Sequence, residues 1–183
     1  WRLELWWDEN IPRTEENKKR YIQLFGETYQ IIKNYSPQLE VGGYGLRGNF
    51  LEEDNMLDIW KNEKVKPDFV SVIVYAYVRG TEKEGVFSKR NTDTEALKNA
   101  VTAVREYMDR VGMKDMKLYI TEWNLTISDR NYMNDTCFKG AYIVKNYLDF
   151  YGLTDMAGYY VGSDRMSEHY DSNELLFGGR GVL

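Results

Sequence analysis

The sequence predicts an α/β protein that forms the second part of a (β/α)8 barrel. Five strand-like runs alternate with amphipathic helical stretches along the 183 residues, and this alternation implies a parallel sheet. Acidic and polar side chains follow several of the strand-like runs. The carboxyl ends of the strands are where a barrel places its catalytic and ligand-binding residues. An open nucleotide-binding sheet is the alternative. Its only glycine-rich candidate, GGYGLRG at 42–48, matches neither common phosphate-binding pattern.

Composition excludes several classes of protein. Hydrophobic residues make up 43% and only three residues are Pro, so disorder is not expected. The net charge is −5 and there is no Lys/Arg-rich run, which argues against a nucleic-acid surface in this segment. One Cys and one His provide neither an internal disulfide nor metal-site spacing, and we predict no cofactor. No apolar run approaches the roughly 18 residues of a membrane span, and no signal peptide is visible.

Apolar and β-branched runs predict the five strands, at residues 2–7, 39–46, 68–77, 117–123 and 156–163. The third run is nearly all apolar, which suits a strand buried on both faces of a parallel sheet. A complete barrel needs about 250 residues. Since the chain opens with Trp1 inside a strand-like run and has no starting Met, we interpret it as a piece of a longer polypeptide.

Apolar residues at helical spacing predict a helix after each of the first four strands, at about residues 14–35, 50–63, 95–112 and 134–151. Thr14, with Asn17 nearby, is placed to cap the first helix, and Pro37 blocks its continuation. Residues 79–94 are polar and predict a loop.

Two of the predicted strands end on carboxylates. LYITEWN at 118–124 reaches Glu122, and RLELWWDEN at 2–10 runs into Asp8 and Glu9. A solvated charge at a strand end would explain either one alone. Two strands that both finish on acids indicate a pattern.

Six motifs in order resemble glycoside hydrolase family 39, the family of retaining β-xylosidases. They are LELWWDEN (3–10), VGGY (41–44), DFVSVIVY (68–75), TEWN (121–124), NDTCFKGAYIVKN (134–146) and LFGGRGVL (176–183). The resemblance covers essentially the whole chain. It implies that residues 1–183 are the C-terminal part of such a barrel, about strands four to eight.

The resemblance also implies catalytic roles. In the family, the end of strand four supplies the general acid/base and the end of strand seven supplies the nucleophile, which correspond here to Asp8 and Glu122. A retaining enzyme needs these two carboxyl groups about 5–5.5 Å apart, one attacking the anomeric carbon and the other protonating the leaving oxygen.

The chain departs from the family pattern around this pair. The family's Asn-Glu is Trp7-Asp8 here, so the acid is one carbon shorter and the neighbouring amide is lost. Glu9 falls where the family has Pro and is an alternative substitute. The family's histidine on the third strand is Ile73, which cannot donate a hydrogen bond. These changes predict weakened hydrolysis.

The predicted substrate-binding residues are Trp7, Tyr75, Trp123, Asn124 and Glu168. Flat aromatic rings at strand ends suit the apolar faces of a sugar, although about half of them are expected to pack in the core because alternate strand positions face opposite ways. Glu168 aligns with a family acid that contacts sugar hydroxyls, with a solvated loop charge as the alternative. His169 is expected at the surface or pocket rim.

Two functional hypotheses remain open. One is an active retaining β-xylosidase. The other is a sugar-recognition domain on a degenerate barrel. The residues of several motifs most resemble those of the xylosidase-like domains of bacterial AraC-type transcription regulators. That resemblance implies a cytoplasmic protein that binds xylose or a xylo-oligosaccharide and contacts DNA only through a domain outside this segment. A homodimer or the missing half-barrel would cover the open sheet edges.

Overall fold

The structure, a computed structural model, describes residues 1–7, 10–86, 88–127, 131–163 and 179–182. The strands in this part of the chain are β1 (Arg2–Trp6), β2 (Glu40–Arg47), β3 (Phe69–Tyr75), β4 (Tyr77–Arg79), β5 (Ser88–Arg90), β6 (Lys117–Asn124) and β7 (Met156–Tyr159). Five of them form one parallel sheet in the order β1-β2-β3-β6-β7. The predicted partial barrel is therefore confirmed.

The connecting helices are α1 (Glu15–Tyr35), α2 (Met56–Trp60), α3 (Ala96–Arg110) and α4 (Cys137–Phe150). The side chain of Thr14 accepts a hydrogen bond from the Asn17 amide at 3.2 Å, so the predicted cap of α1 is confirmed. None of the helices in the described ranges is long and apolar enough to cross a membrane.

Two predicted elements differ from the structure. The predicted helix at 50–63 is a 3-10 helix at Gly48–Glu53 followed by the short α2. It breaks at Asp54, whose Oδ1 accepts hydrogen bonds from the Met56 amide at 2.9 Å and the Tyr44 hydroxyl at 2.7 Å. The predicted loop at 79–94 instead contains β5, which pairs antiparallel with β4 to form a hairpin.

The main core lies between the outer face of the sheet and the helices. On β3 the outward side chains Val70, Val72 and Val74 join this core with residues of α1 and α3. The inward side chains of β3 are also largely buried, and they are Phe69, Ser71, Ile73 and Tyr75. Both faces of β3 are thus covered, as its apolar run predicts.

Glycines in β2 allow unusually close packing. A Cβ atom at Gly42 would lie 2.3 Å from the carbonyl oxygen of Phe69, and one at Gly43 would lie 2.7 Å from that of Leu5. Gly45 has a φ of 76°, a conformation that residues with a side chain rarely adopt. These glycines therefore serve close packing and backbone geometry.

Candidate active site

A cleft of about 470 Å³ opens at the carboxyl ends of β3 and β6. Its volume lies within the range of small-ligand sites. It contains Glu122 and Tyr75 among the predicted site residues, and its other lining residues are Trp6, Arg47, Asn49, Phe50, Ile73, Tyr77, Ser88, Ile127 and Arg180. A larger hollow of about 730 Å³ beside α1 contains none of the predicted site residues.

A register shift in β6 accompanies the entry of Glu122 into the cleft. Ile120 pairs with Val72 of β3, but the next pair joins Glu122 to Ile73, so Thr121 is an extra residue on β6. Such a bulge changes the direction in which the following side chains point. Glu122 therefore lines the cleft, while Trp123 belongs to the outer core.

The carboxylate of Glu122 is oriented by Tyr75, whose hydroxyl donates a hydrogen bond to Oε1 of Glu122. Burial of the ring, together with this hydrogen bond and the negative charge of Glu122, raises the pKa of Tyr75 well above its usual value. The phenol therefore remains protonated over the ordinary pH range and keeps its role as a donor. The pair can present one oriented carboxylate oxygen to a ligand in the cleft.

Ile73 occupies the centre of the cleft floor. It pairs in register with Arg47 on one side and with Glu122 on the other, and only 8% of its surface is exposed. At this level of the sheet the chain therefore presents a cation, an apolar side chain and a carboxylate in a row. The apolar middle position provides no hydrogen bond to a ligand or to Glu122.

A second carboxyl group lies on the inner face of the sheet. Glu4 of β1 accepts a hydrogen bond from the Thr121 hydroxyl at 3.4 Å. Burial raises the pKa of Glu4, hydrogen bonds from Ser71 and Thr121 oppose the rise, and the charge of Glu122 adds to it. Sequence reasoning did not single out Glu4, although its position two residues before Trp6 places both on the same face.

Trp123 lies in the core and not in the cleft. Its side chain is fully buried, and its ring centroid lies 5.0 Å from that of Tyr159 and 5.2 Å from those of Tyr147 and Phe150. The expectation that Trp123 contacts a sugar is therefore corrected, and the bulge at Thr121 is the physical reason.

Trp7 also faces the core. Its indole donates a hydrogen bond to the Ile11 carbonyl at 3.0 Å, and its ring lies 5.3 Å from that of Tyr21. The neighbouring Trp6 lines the cleft instead and is 42% exposed. Of the two adjacent tryptophans, sequence reasoning selected the one on the wrong face.

Asn124 is fully buried beside the cleft. Its amide donates hydrogen bonds to the carbonyl oxygens of Tyr160 and Arg180, and its Oδ1 accepts one from the Tyr159 hydroxyl at 2.8 Å. Since protein groups already occupy its polar atoms, Asn124 supports the site by holding the segments around Tyr160 and Arg180. This corrects its predicted direct contact with the sugar.

Two arginines of the cleft were not predicted. Arg47 ends β2, and its position after the glycine-rich stretch was the available signal. Arg180 donates a hydrogen bond to the Ile127 carbonyl at 3.3 Å and lies 5.0 Å from the Tyr160 ring centroid. No pattern in the sequence connected Arg180 to Ile127, because the contact joins distant parts of the chain.

Comparison with known protein families identifies the chain. The sequence profile described as "Glycosyl hydrolases family 39" matches residues 1–183. The chain belongs to glycoside hydrolase family 39. The resemblance inferred from the six motifs is thereby confirmed at the level of the family.

Individual relatives agree with this assignment. A β-xylosidase of Geobacillus stearothermophilus is 26% identical over 189 residues, covering 100% of this chain and 38% of the relative. The crystal structure of a family 39 enzyme from Xanthomonas axonopodis pv. citri has a TM-score of 0.79 at 25% identity, covering 100% of this chain and 37% of that one. For a monomeric β-xylosidase from Caulobacter crescentus CB15 the TM-score is 0.78 at 26% identity, covering 98% and 37%.

The chain thus spans under two fifths of the length of these relatives. Two of the predicted family 39 site residues, Asp8 and Glu168, lie outside the described residues, as do Glu9 and His169. The placement of Asp8 opposite Glu122 and the contact of Glu168 with sugar hydroxyls stay predictions. In the described part of the chain no group of three or more His, Cys, Asp or Glu side chains could hold a metal ion.

Proposed function

We propose that this family 39 domain binds xylose or xylo-oligosaccharides in the cleft around Glu122 and hydrolyses them only weakly. The observation that carries the proposal is the row formed by Arg47, Ile73 and Glu122 across the cleft floor. It combines an oriented carboxylate with an apolar residue where the family has a histidine. Such a row retains groups that hold a sugar and lacks one that assists its cleavage.

The choice of sugar rests on the relatives. Two of the proteins most similar to this chain are named β-xylosidases. The cleft provides the features that a small pentose requires, namely a few polar groups among aromatic side chains. Trp6 and Tyr75 supply ring faces, while Glu122 accepts hydrogen bonds from sugar hydroxyls.

The weakness of hydrolysis rests on three departures from the family. Ile73 provides no donor beside Glu122, the shorter Asp8 replaces Glu as acid/base, and Trp7 replaces the neighbouring amide. The Trp7 ring is packed against Tyr21 and cannot take over the role of an amide at the cleft. A misplacement of about 1 Å costs on the order of 100-fold in rate, so three such changes near one carboxylate pair would reduce turnover strongly.

An active retaining β-xylosidase is the second candidate. The hydrogen bond from Tyr75 to Glu122 favours it, because an oriented carboxylate is what attack on the anomeric carbon needs. In that reaction Glu122 would form a glycosyl ester as Asp8 protonates the leaving oxygen, and water would then release the sugar. The proposal and this candidate share the binding site and differ in turnover.

We further infer that this domain is the sugar-sensing part of a transcription regulator. LWWDEN (5–10), SVIVYAY (71–77) and NDTCFKGAYIVKN (134–146) resemble the xylosidase-like domains of AraC-type regulators. In such a protein a DNA-binding domain outside this segment would contact DNA, and the protein would act in the bacterial cytoplasm. A helix-turn-helix region upstream in the gene would support this role, whereas a signal peptide upstream would contradict it.

Calorimetric titration of the full-length protein with xylose, xylobiose and arabinose tests the binding proposal. We expect saturable heat with at least one of these sugars and its loss in Glu122→Ala. Absence of heat at millimolar concentration with all three would overturn the proposal.

Hydrolysis of an aryl β-xyloside separates the two candidates, because its good leaving group needs little acid assistance. Brisk turnover that Glu122→Gln abolishes would favour the active enzyme.

A further inference from the structure

A polar layer lies directly beneath the floor of the cleft. Four strands of the parallel sheet each contribute one residue that precedes a cleft-lining residue on the same strand by one or two positions. They are Glu4 before Trp6 on β1, Gly45 before Arg47 on β2, Ser71 before Ile73 on β3, and Thr121 before Glu122 on β6. We call Glu4, Gly45, Ser71 and Thr121 the support layer.

Two bulges interrupt the sheet at the level of the support layer. On β2 one extra residue lies between the pairs that flank Ser71 of β3, and Gly45 in this bulge has a φ of 76°. On β6 the extra residue is Thr121. Because a bulge changes the direction of the side chains that follow it, the two bulges set the directions of Arg47 and Glu122.

Glu4 connects the two bulges through hydroxyl groups. At the β6 bulge, the Thr121 hydroxyl donates a hydrogen bond to the Glu4 carboxylate at 3.4 Å. At the β2 bulge, the Ser71 hydroxyl accepts a hydrogen bond from the Gly45 amide at 2.9 Å and donates one to Glu4. Since a hydroxyl has a single proton to donate, the acceptor at Glu4 determines the direction in which each hydroxyl points.

A carboxyl group in the support layer is unfavourable for folding. Burial and the charge of Glu122 both raise the pKa of Glu4, so the folded protein disfavours the ionised form. The interior of a barrel is usually filled by branched apolar side chains, which have no such cost. A residue that breaks the packing pattern beside a site is expected to serve that site.

We propose that Glu4 is a positioning residue of the cleft, which holds both bulges and thereby directs Arg47 and Glu122 into it. The inference rests on the proposed function and adds to it a residue that does not itself contact sugar. Its role differs from that of Tyr75. The phenol orients the Glu122 carboxylate, whereas Glu4 fixes the backbone from which that side chain extends.

The first test is calorimetry of the full-length protein at pH 7 with thio-linked xylobiose, which is not hydrolysed. Thr121→Val keeps the shape of the side chain and removes its donor. We expect it to weaken binding about 10-fold, because a misdirected Glu122 loses a charged hydrogen bond to the sugar. Glu4→Leu should weaken binding by a similar factor. Thr121→Ser, which keeps the donor, and Glu4→Gln, whose amide oxygen still accepts, should each restore most of the lost affinity. Thr154→Val is the matched control, since Thr154 donates to the Phe150 carbonyl and does not line the cleft.

Hydrogen–deuterium exchange in the absence of sugar provides a readout that does not depend on the ligand. Glu4→Leu should raise amide exchange at residues 43–47 and 120–124, which contain the two bulges, and Thr121→Val should raise it at 120–124. Exchange in α3 should stay as in wild type, which separates release of the bulges from a general loss of stability. Thr154→Val should leave both bulge segments unchanged.

The positioning role is overturned if Glu4→Leu leaves exchange at both bulges unchanged, or if exchange rises while sugar affinity stays as in wild type. It is also overturned if Thr121→Ser and Glu4→Gln lose as much affinity as the apolar variants. Should Glu4→Leu fail to fold, unchanged exchange and affinity in Thr121→Val overturn it. If wild type binds no sugar, the proposed function fails, and exchange at the bulges still supports or overturns Glu4 as the residue that holds them.

Discussion

The hydroxyl of Tyr75 donates a hydrogen bond to the Glu122 carboxylate across the neighbouring strands β3 and β6. Tyr75 pairs in register with Asn124, while Glu122 pairs with Ile73. The phenol thus reaches back two residues along the partner strand. It fixes one carboxylate oxygen and leaves the other available to the cleft.

Tyr75→Phe removes this donor and keeps the ring. We expect sugar affinity to fall about 10-fold and the free energy of unfolding to fall by about 1–2 kcal/mol, because a carboxylate that is partly buried loses a hydrogen bond. Calorimetry and urea denaturation measure the two effects. Tyr107→Phe is the matched control, since Tyr107 donates to Asp58 at 2.9 Å outside the cleft. Equal loss of affinity in both variants would contradict a specific role for Tyr75.

Ile73→His restores the family's histidine on the cleft floor. We expect hydrolysis of an aryl β-xyloside to rise roughly 10-fold or more, as a positioned donor typically contributes at least that much to rate. Initial rates with wild type and variant measure the gain. Ile73→Leu keeps the position apolar and should show no increase. An Ile73→His protein that folds, binds sugar and gains no activity would show that Ile73 is not what limits turnover.

Trp123 and Trp6 should respond in opposite ways to truncation. Trp123→Ala should cost about 3–5 kcal/mol in the free energy of unfolding, because it removes a fully buried ring from the core. Trp6→Ala should cost much less stability, since Trp6 is 42% exposed, but should weaken sugar binding. Urea denaturation and calorimetry on both variants check this. If Trp123→Ala had normal stability but lost sugar binding, Trp123 would have to lie in the cleft and not in the core.

The raised pKa of Glu4 predicts that the free energy of unfolding depends on pH. Burial raises its pKa in the folded protein above the usual value of 4.5, so the folded state holds the proton more tightly than the unfolded state. The contribution of Glu4 to stability therefore declines as pH rises from about 4.5 through the folded pKa. Since glutamine stays neutral, Glu4→Gln should gain stability relative to wild type between pH 4 and pH 7.

Urea denaturation of both proteins at the two pH values measures this relative gain. The exposed Glu16→Gln is a control for the loss of one negative charge. A stability difference between Glu4→Gln and wild type that is the same at pH 4 and pH 7 would contradict the raised pKa.

Much of the fold followed from periodicity in the sequence. The nearly continuous apolar run at 68–77 correctly predicted the doubly covered β3, and Thr14 correctly predicted the start of α1. The helix expected at 50–63 was wrong because Asp54 binds the Tyr44 hydroxyl and the Met56 amide. That contact joins separate elements and leaves no periodic signal.

The candidate site was predicted in part. Glu122 and Tyr75 do share one cleft, as parallel strands that end at one sheet edge imply. The orientation of Trp123 could not be predicted, because the bulge at Thr121 adds one residue and reverses the alternation of β6. The alternation of side chains along a strand predicts which face of the sheet each side chain occupies only while the pairing register is unbroken.

A crystal structure of the full-length protein with xylobiose would test the central claim most directly. We predict one sugar ring within hydrogen-bond distance of Glu122, above Ile73, at the carboxyl ends of β3 and β6. An empty cleft at saturating sugar, or a sugar bound elsewhere on the protein, would contradict the account.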